Sequence, residues 1–366
     1  MRKVLLGGSA LFAILVAVAP GGASAEMEVT AGGFAAFRAG IFDNEQANQS
    51  GRDFEQEAEI HINAKGVADS GLEYGAKVEL LASTSDTAGA DEAGIFLQGG
   101  WGRVELGDDD GASDQLAVLA PVVGIGQING RYLDFVTAAS RPSGNVKDTG
   151  GGIIKPLDTD DATKITYYTP RFEGFQAGIS FAPEADDQSD GEEVQFFDNS
   201  GNQEDFVEMG LNYRGEFNDV SVRAGLTMDT ADAKTGSGRE DVFAWGLGAR
   251  VGYQGFEIGG GYNDNGDSNN TAGTADDDES AWNVGARYQT GPWGVAVSYL
   301  AEDYQSAGGR GTDTSGGSYD AFVIGGNYEI ADGLTAGADL AFFDRDKDTG
   351  ADDDGYVLVI ETKGRF

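Results

Sequence analysis

The feature that most constrains this chain is an alternation of apolar and polar residues with a period of two, which recurs along most of its length. Residues 53–66 show it most clearly, where Phe54, Ile60 and Ile62 are separated by glutamates and other polar residues. Successive side chains of a β-strand point to opposite faces of the sheet, so each such segment predicts a strand with one apolar face. Sixteen segments of this kind occur between residues 28 and 366, which predicts an all-β fold.

The connections between these strands alternate strictly between short and long. Residues 171–174 and 290–291 are short connections, whereas residues 183–203 and 264–278 are long ones. Outer-membrane barrels have this arrangement, with tight turns at one end of an even number of antiparallel strands and long loops at the other. Backbone polar groups in hydrocarbon must all be paired, which leaves only helices and closed barrels. The sequence therefore predicts a transmembrane antiparallel β-barrel of 16 strands.

The beginning of the chain has the features of a secretory signal peptide. Two basic residues precede an apolar run over residues 4–19, and an A-x-A cleavage site ends at Ala25. We predict a signal peptide over residues 1–25 and a barrel over residues 26–366. No other segment reaches the roughly 18 apolar residues of a spanning helix.

Composition excludes several classes of protein. The chain has 24 basic and 62 acidic residues, a formal net charge of −38. Nucleic acid is excluded as a partner because phosphate contacts require clustered Lys and Arg. The chain contains no cysteine and one histidine, so disulfides and zinc clusters are not expected.

The longest connection, residues 108–161, shows no sustained alternation and carries a group of aspartates at each end. Between them lie an apolar stretch, residues 116–128, and residues 131–139, which predict one or two helical turns. A connection this long is either disordered or functional, and its apolar content argues against disorder. We predict that it folds into the barrel and narrows its bore.

Two parts of the chain carry a resemblance to a known family. Residues 94–97 followed by Gly107-Asp108 resemble the strands that lead into the third loop of Gram-negative general-diffusion porins, especially those of purple bacteria and related alphaproteobacteria. Residues 162–172 and 174–178 resemble the strand pair that leaves that loop, and the chain ends on an aromatic residue, Phe366. The resemblance implies a 16-stranded barrel, a homotrimer, and a third loop folded inward as an eyelet.

In such porins, acidic residues of the third loop face basic residues of the opposite wall. Carried over to this chain, the acidic side comes from Asp108, Asp109, Asp110, Asp114, Asp134, Asp148, Asp158, Asp160 and Asp161. The basic side comes from Arg38, Lys65, Lys77, Arg103, Lys363 and Arg365. Many further glutamates with inward parity depart from this two-sided pattern and favour cations.

His61, the single histidine, could act as the base of a barrel-borne hydrolase. No serine near it carries a recognisable motif, so we interpret it as a solvated residue of the lumen. We predict that the protein is not an enzyme.

Asp344, Asp346 and Asp348 have a calcium-like spacing of oxygen ligands. The sixth and twelfth positions of the EF-hand pattern hold Thr349 and Gly355 instead of glycine and a carboxylate, so that motif is absent. A solvated acidic loop is the simpler interpretation, and calcium that bridges lipopolysaccharide phosphates is the alternative.

These observations predict a channel in the outer membrane of a Gram-negative bacterium that lets small hydrophilic solutes and ions diffuse passively, with a preference for cations. No cofactor is required. Two alternatives stay open: a substrate-specific channel of the same fold, and a membrane-anchored barrel that acts as a calcium-binding or adhesive surface protein.

Overall fold

The structure is a computed structural model. It describes residues 27–44, 50–83, 89–128, 130–136, 158–184, 203–268, 270–273, 279–304, 316–348 and 352–366. The predicted signal peptide lies outside these residues and stays a prediction. Within the described part of the chain, no helix is long and apolar enough to cross a membrane.

Sixteen antiparallel strands form a closed barrel, which confirms the predicted fold. Each strand pairs with its neighbours in sequence, and β1 pairs with β16 to close the ring. The strands are β1 (Glu28–Asn44), β2 (Arg52–Val67), β3 (Glu73–Leu81), β4 (Ala90–Gly99), β5 (Gly102–Asp108), β6 (Thr163–Tyr168), β7 (Phe175–Ala182), β8 (Gln203–Phe217), β9 (Val220–Ala233), β10 (Val242–Tyr253), β11 (Phe256–Gly266), β12 (Glu279–Thr290), β13 (Trp293–Tyr304), β14 (Gly317–Ala331), β15 (Leu334–Lys347) and β16 (Asp353–Arg365).

The short connections include two-residue hairpin turns. Asn218 and Asp219 between β8 and β9 have φ values of 48° and 67°, and Gln254 and Gly255 between β10 and β11 have values of 47° and 85°. Positive φ at both central residues matches the right-handed twist of the flanking strands, and Asn, Asp and Gly tolerate it best. The local sequence therefore closes this end of the barrel tightly.

The outer face of the wall is apolar. Phe54, Ile95, Ile258 and Ile360 are all more than half exposed to the surroundings. Rings pack in pairs towards both ends of the strands, and examples of such pairs are Phe256–Tyr288, Trp293–Tyr328 and Trp282–Tyr299. An apolar band flanked by aromatic residues is the lipid-facing surface of an outer-membrane barrel.

The main apolar core lies inside the barrel and not between layers. Tyr132, Leu133 and Phe135 of the long connection pack with residues of β14, β15 and β16 such as Val357 and Val359. The described residues of this connection contain two short helical elements: α1 (Ala112–Leu116), which the sequence did not predict, and a 3₁₀ turn (Arg131–Phe135) within the predicted helical stretch.

Candidate functional site

The described parts of the long connection, residues 109–128, 130–136 and 158–162, are called the inner loop below. Helix α1 contacts β7, β8 and β9, and the 3₁₀ turn contacts β15, β16 and β1. The residues between these two elements follow the intervening strands. The wall residues that the inner loop contacts, such as Gly210, Asn283 and Asp339, lie on the face opposite to the apolar outer surface, so the inner loop follows the inner wall from β7 round to β1.

Glycines on the inner wall let the inner loop approach closely. A Cβ atom added at Gly210 would lie 2.7 Å from the carbonyl oxygen of Ala112, and one at Gly248 would overlap the carbonyl oxygen of Val118. Gly225 has the same role under α1 and the residues that follow it. Glycine inside a strand permits another backbone to approach closely, so these inner-wall glycines form the surface against which the inner loop packs.

Polar side chains of the adjacent wall, on β10 and β12, bind the extended part of the inner loop. Arg250 donates to the carbonyl oxygen of Ala120 at 3.0 Å, and Arg287 donates to that of Val122 at 3.2 Å. The Asn283 Oδ1 atom accepts the N–H of Ala120 at 2.8 Å. Neither arginine is among the predicted pore-wall bases, because strand parity does not show which inward side chain meets the loop.

Further along, Gln127 is fully buried and ties the inner loop to β15. Its Nε2 atom donates to both carboxylate oxygens of Asp339, at 3.0 and 3.1 Å. Its side-chain amide also pairs with both backbone polar groups of Val123. These bonds satisfy groups that would otherwise be buried without partners.

Glu208 of β8 joins the two ends of the inner loop. Its side chain is 1% exposed and accepts the backbone N–H of Thr159 at 2.9 Å as well as the Thr159 hydroxyl. The Ser113 hydroxyl, on the outgoing limb, donates to it at 3.4 Å. One carboxylate therefore clamps the outgoing and returning limbs to the same strand.

The structure brings several predicted acidic residues together where the inner loop leaves β5. One carboxylate oxygen from each of Glu92, Asp110 and Asp161 lies within 4.8 Å of the others. Asp109 Oδ1 is 3.9 Å from Lys77 Nζ on the adjacent wall. At this point, acidic and basic groups of the predicted sets are neighbours and do not face each other across the bore.

Burial is the largest cause that raises the pKa of Asp161, to about 7. The negative charges of Asp160, Glu92 and Asp91 raise it further, and the nearby Lys164 ammonium lowers it. Because this value lies at physiological pH, the charge at the base of the inner loop changes with small changes in pH.

Other predicted acidic residues are more dispersed. Asp108 ends β5 and accepts the hydroxyl of Thr163 at 2.5 Å, and Asp114 lies in α1. The Asp158 carboxylate accepts the N–H of Asp160 at 3.2 Å in the returning limb. Asp148 lies outside the described residues.

Asp134 lies at the far end of the inner loop, 3.8 Å from the guanidinium of Arg131. Arg131 also pairs with Glu57 of β2, so an inner-loop cation meets a wall carboxylate here. The prediction placed acidic groups on the loop and basic groups on the wall, and this pair has the opposite arrangement.

Arg38, one of the predicted wall bases, is 2% exposed and surrounded by carboxylates. It pairs with Glu361 at 2.8 Å, Glu55 at 3.0 Å and Glu57 at 2.5 Å. A buried guanidinium needs such partners. Arg38 therefore joins β1, β2 and β16 on the inner face.

Lys77 and Arg103 are more accessible and lie on the same side of the barrel. Lys77 pairs with Glu79 at 2.9 Å, and Arg103 pairs with Glu105 at 2.5 Å while its guanidinium lies over the ring of Phe96. Each base thus has an adjacent carboxylate.

The three remaining predicted bases lie near the end of the barrel that has the short turns. Lys65 pairs with Glu73 at 2.7 Å. The Lys363 ammonium lies 3.5 Å from the ring centre of Phe34, and Arg365 is opposite Phe34 in the β1–β16 register.

Two of the three predicted calcium ligands lie on one face of β15. Asp344 and Asp346 follow Phe342 at alternate positions of β15, on the outward face, and Asp348 lies past the end of that strand. In the described part of the chain, two clusters have metal-ligand geometry, Glu92–Asp110–Asp161 and Glu59–His61–Glu79, and neither includes these aspartates.

Comparison with known proteins decides the family. A family model described as Gram-negative porin matches residues 10–348. The chain belongs to the Gram-negative porin family. This confirms the resemblance seen in the sequence and places the porin in the outer membrane, in agreement with the predicted location. Porins are channels, which fits the prediction that the protein is not an enzyme.

Two relatives from Halomonas are each 27% identical over 333 residues, which is 81% of this chain and 81% of theirs: a monosaccharide porin of Halomonas sp. and the major outer membrane protein of Halomonas elongata. Solved porins share the fold at lower identity. The anion-selective porin from Comamonas acidovorans has a TM-score of 0.64 at 17% identity and covers 93% of this chain and 100% of its own. A triple mutant of Rhodopseudomonas blastica porin has a TM-score of 0.59 at 16% identity with the same coverage.

Proposed function

We propose that this porin is a general-diffusion channel that passes small hydrophilic solutes and ions, with a preference for cations. The observation that carries the proposal is the position of the inner loop. It is fixed to the wall from β7 to β1, whereas carboxylates of β2 to β5 beside it stay accessible. The inner loop narrows the bore, and the uncovered wall supplies the charge that solutes meet.

The charge of that uncovered wall favours cations. Four glutamates on β2 to β5 keep 15–19% of their side chains accessible: Glu59, Glu79, Glu92 and Glu105. The accessible bases Lys77 and Arg103 each have a carboxylate beside them, so they do not reverse the sign. Rings of carboxylates in a narrow, low-dielectric passage concentrate cations.

A sugar-specific channel is the main alternative, since one relative is named a monosaccharide porin. Stacking of a sugar would require accessible aromatic rings along the passage. Tyr132 and Tyr319 are fully buried beneath the inner loop, where their hydroxyls lie 3.3 Å apart, and offer no such face. The inward-facing rings of Phe96 and Phe34 each have one face covered by a cation, the Arg103 guanidinium and the Lys363 ammonium, which favours general diffusion.

We also propose a homotrimer and contacts with lipopolysaccharide. The trimer rests on the resemblance to general-diffusion porins, and chemical cross-linking of detergent-solubilised protein tests it, because a chain that stays monomeric contradicts it.

Asp320, Asp344 and Asp354 are direct cross-strand neighbours on β14, β15 and β16. With the outward parity of Asp344, this row suits divalent cations that bridge lipid phosphates, which would make calcium a structural ion of the surface.

Planar-bilayer recording of the purified porin under a KCl gradient tests the proposed function. We expect stepwise conductance and a reversal potential with the sign of cation preference. Replacement of Asp109 and Asp110 by asparagine should weaken that preference, whereas Asp344→Asn on the outer face should leave it unchanged. Folded protein without conductance would contradict a channel, and a reversal potential of the opposite sign would contradict cation preference.

A further inference from the structure

His61 has two carboxylate neighbours on the inner wall. Glu59 precedes it by two residues on the same face of β2, and Glu79 lies directly opposite it in the β2–β3 register. The His61 Nε2 atom is 2.9 Å from a carboxylate oxygen of Glu59 and 3.5 Å from one of Glu79. One imidazole nitrogen and two carboxylate oxygens thus converge on one point of the lumen.

We propose that His61, Glu59 and Glu79 bind a divalent transition-metal ion of the zinc class. The three ligand atoms lie within 4.8 Å of one another. Ligands about 2.1 Å from a tetrahedral Zn²⁺ are about 3.4 Å apart, and the two distances from His61 bracket that value. Only a small side-chain adjustment therefore separates this arrangement from a coordination sphere.

The donor set selects the class of metal. Imidazole suits zinc, copper, nickel and iron, whereas calcium and magnesium prefer oxygen ligands alone. Three protein ligands leave a fourth position for water or a passing solute. The His61 side chain is 31% exposed and each carboxylate 15%, so a hydrated ion can reach the site from the bore.

Neighbouring groups hold the ligands in place. The Lys77 ammonium pairs with one oxygen of Glu79 at 2.9 Å, while the other oxygen faces His61. The ring of Phe34 packs edge-on against the imidazole, with 6.2 Å between ring centres and 89° between planes. Such contacts outside the coordination sphere orient metal ligands and restrict their rotation.

The trio of Glu92, Asp110 and Asp161 is a matched comparison in the same lumen. Its carboxylates converge with the same 4.8 Å limit but include no nitrogen donor. An excess of Mg²⁺ should therefore displace Zn²⁺ from that trio and leave it bound at His61. This difference separates a specific site from general attraction of cations to an acidic protein.

Sequence alone did not reveal the site. A spacing of two residues within a strand is common, and the third ligand comes from another strand, so only the β2–β3 register joins them. The predicted solvated histidine is accessible in the structure, and the converging carboxylates give it a further role.

A consequence for transport rests on the proposed channel function. A bound divalent ion would add two positive charges to the uncovered wall and occupy part of the bore. Micromolar Zn²⁺ in the presence of excess Mg²⁺ should therefore lower the cation current, and the effect should disappear in His61→Ala.

The test uses the folded, untagged porin in detergent, because His61 is the only histidine of the chain. Zn²⁺ binding is measured by calorimetry in millimolar Mg²⁺, and Cu²⁺ bound under the same conditions is examined by electron paramagnetic resonance. We expect one Mg²⁺-resistant site per chain and coupling to a single imidazole nitrogen. Binding that Mg²⁺ abolishes, or all-oxygen coordination of Cu²⁺, would overturn the proposal.

Variants locate the site. His61→Ala, and His61→Gln as a second variant that keeps a polar side chain, should weaken Zn²⁺ binding about tenfold or more, and Glu59→Gln and Glu79→Gln should weaken it as well. Asp110→Asn should not change it. Unchanged binding in both His61 variants would overturn the proposal. Because binding is measured without a membrane, a porin that binds Zn²⁺ but does not conduct contradicts only the proposed function, whereas one that conducts but does not bind contradicts only the metal site.

Discussion

At the scale of single residues, the inner-wall glycines determine how closely the inner loop can approach the wall. A side chain at Gly248 would overlap the carbonyl oxygen of Val118, so Gly248→Ala must push the inner loop inward or detach it. Overpacking of this kind typically costs about 1–3 kcal/mol. We expect altered and noisier single-channel conductance and a lower unfolding temperature.

The matched control for this variant is Gly364→Ala in β16, where a Cβ atom would meet nothing closer than 4.0 Å. It should behave like the unmodified porin. If Gly248→Ala gave the same quiet current as Gly364→Ala, close seating of the inner loop at Val118 would be ruled out.

The raised pKa of Asp161 predicts that the stability and the cation preference of the porin depend on pH. Burial and the neighbouring charges of Asp160, Glu92 and Asp91 raise its pKa to about 7 despite Lys164, from an ordinary value of 3.8. The folded protein therefore binds more protons than the unfolded chain between these values, and this group's contribution to stability falls as pH rises from about 4 to about 7.

Ionisation of Asp161 also adds negative charge beside the bore. Cation preference, measured from reversal potentials, should therefore increase between about pH 6 and pH 8, and Asp161→Asn should remove most of this change. A pH response of the same size in the variant would show that another group is responsible.

At the scale of structural elements, the inner loop depends on Glu208 because that carboxylate holds both limbs. Glu208→Ala would leave the buried N–H of Thr159 and the hydroxyl of Ser113 without this acceptor, at a cost of about 1–3 kcal/mol. We expect increased current noise and faster proteolysis of the inner loop.

Glu208→Gln is the control, because its amide oxygen can still accept the N–H of Thr159. It should retain more of the native behaviour than the alanine variant. Equal current noise and equal proteolysis rates in the unmodified porin and Glu208→Ala would show that Glu208 does not hold the two limbs of the inner loop in place.

The strands were predictable from the sequence because a strand with one apolar face requires apolar and polar residues to alternate along a short stretch of the chain. Phe54, Ile60 and Ile62 mark the outer face of β2 without any knowledge of its neighbours. The path of the inner loop was not predictable from the sequence. Gly248 allows the loop to approach closely and Arg250 donates hydrogen bonds to it, but both contacts exist only because the fold places the loop against β10. The His61–Glu79 pair likewise depends on strand register.

At the scale of the whole molecule, the proposed cation preference is electrostatic in origin, because it rests on the net charge of −38 and the accessible carboxylates of β2 to β5. The screening length is about 10 Å at 0.1 M salt and about 3 Å at 1 M. Cation preference should therefore decrease as KCl is raised over this range. Reversal potentials measured at a constant concentration ratio provide the test, and selectivity independent of salt would point to steric discrimination instead.

The inner loop covers the wall from β7 to β1 and leaves most of the β2–β5 wall open to the bore. The chain contains no cysteine, so single substitutions can be labelled without background. The most direct measurement is the rate at which a small, charged thiol reagent changes the single-channel current of Glu79→Cys, Glu105→Cys, Asn212→Cys and Asn283→Cys. This arrangement predicts rapid modification at positions 79 and 105 and protection at positions 212 and 283, where the native side chains are 2% and 3% exposed. Equal rates at all four positions would contradict it.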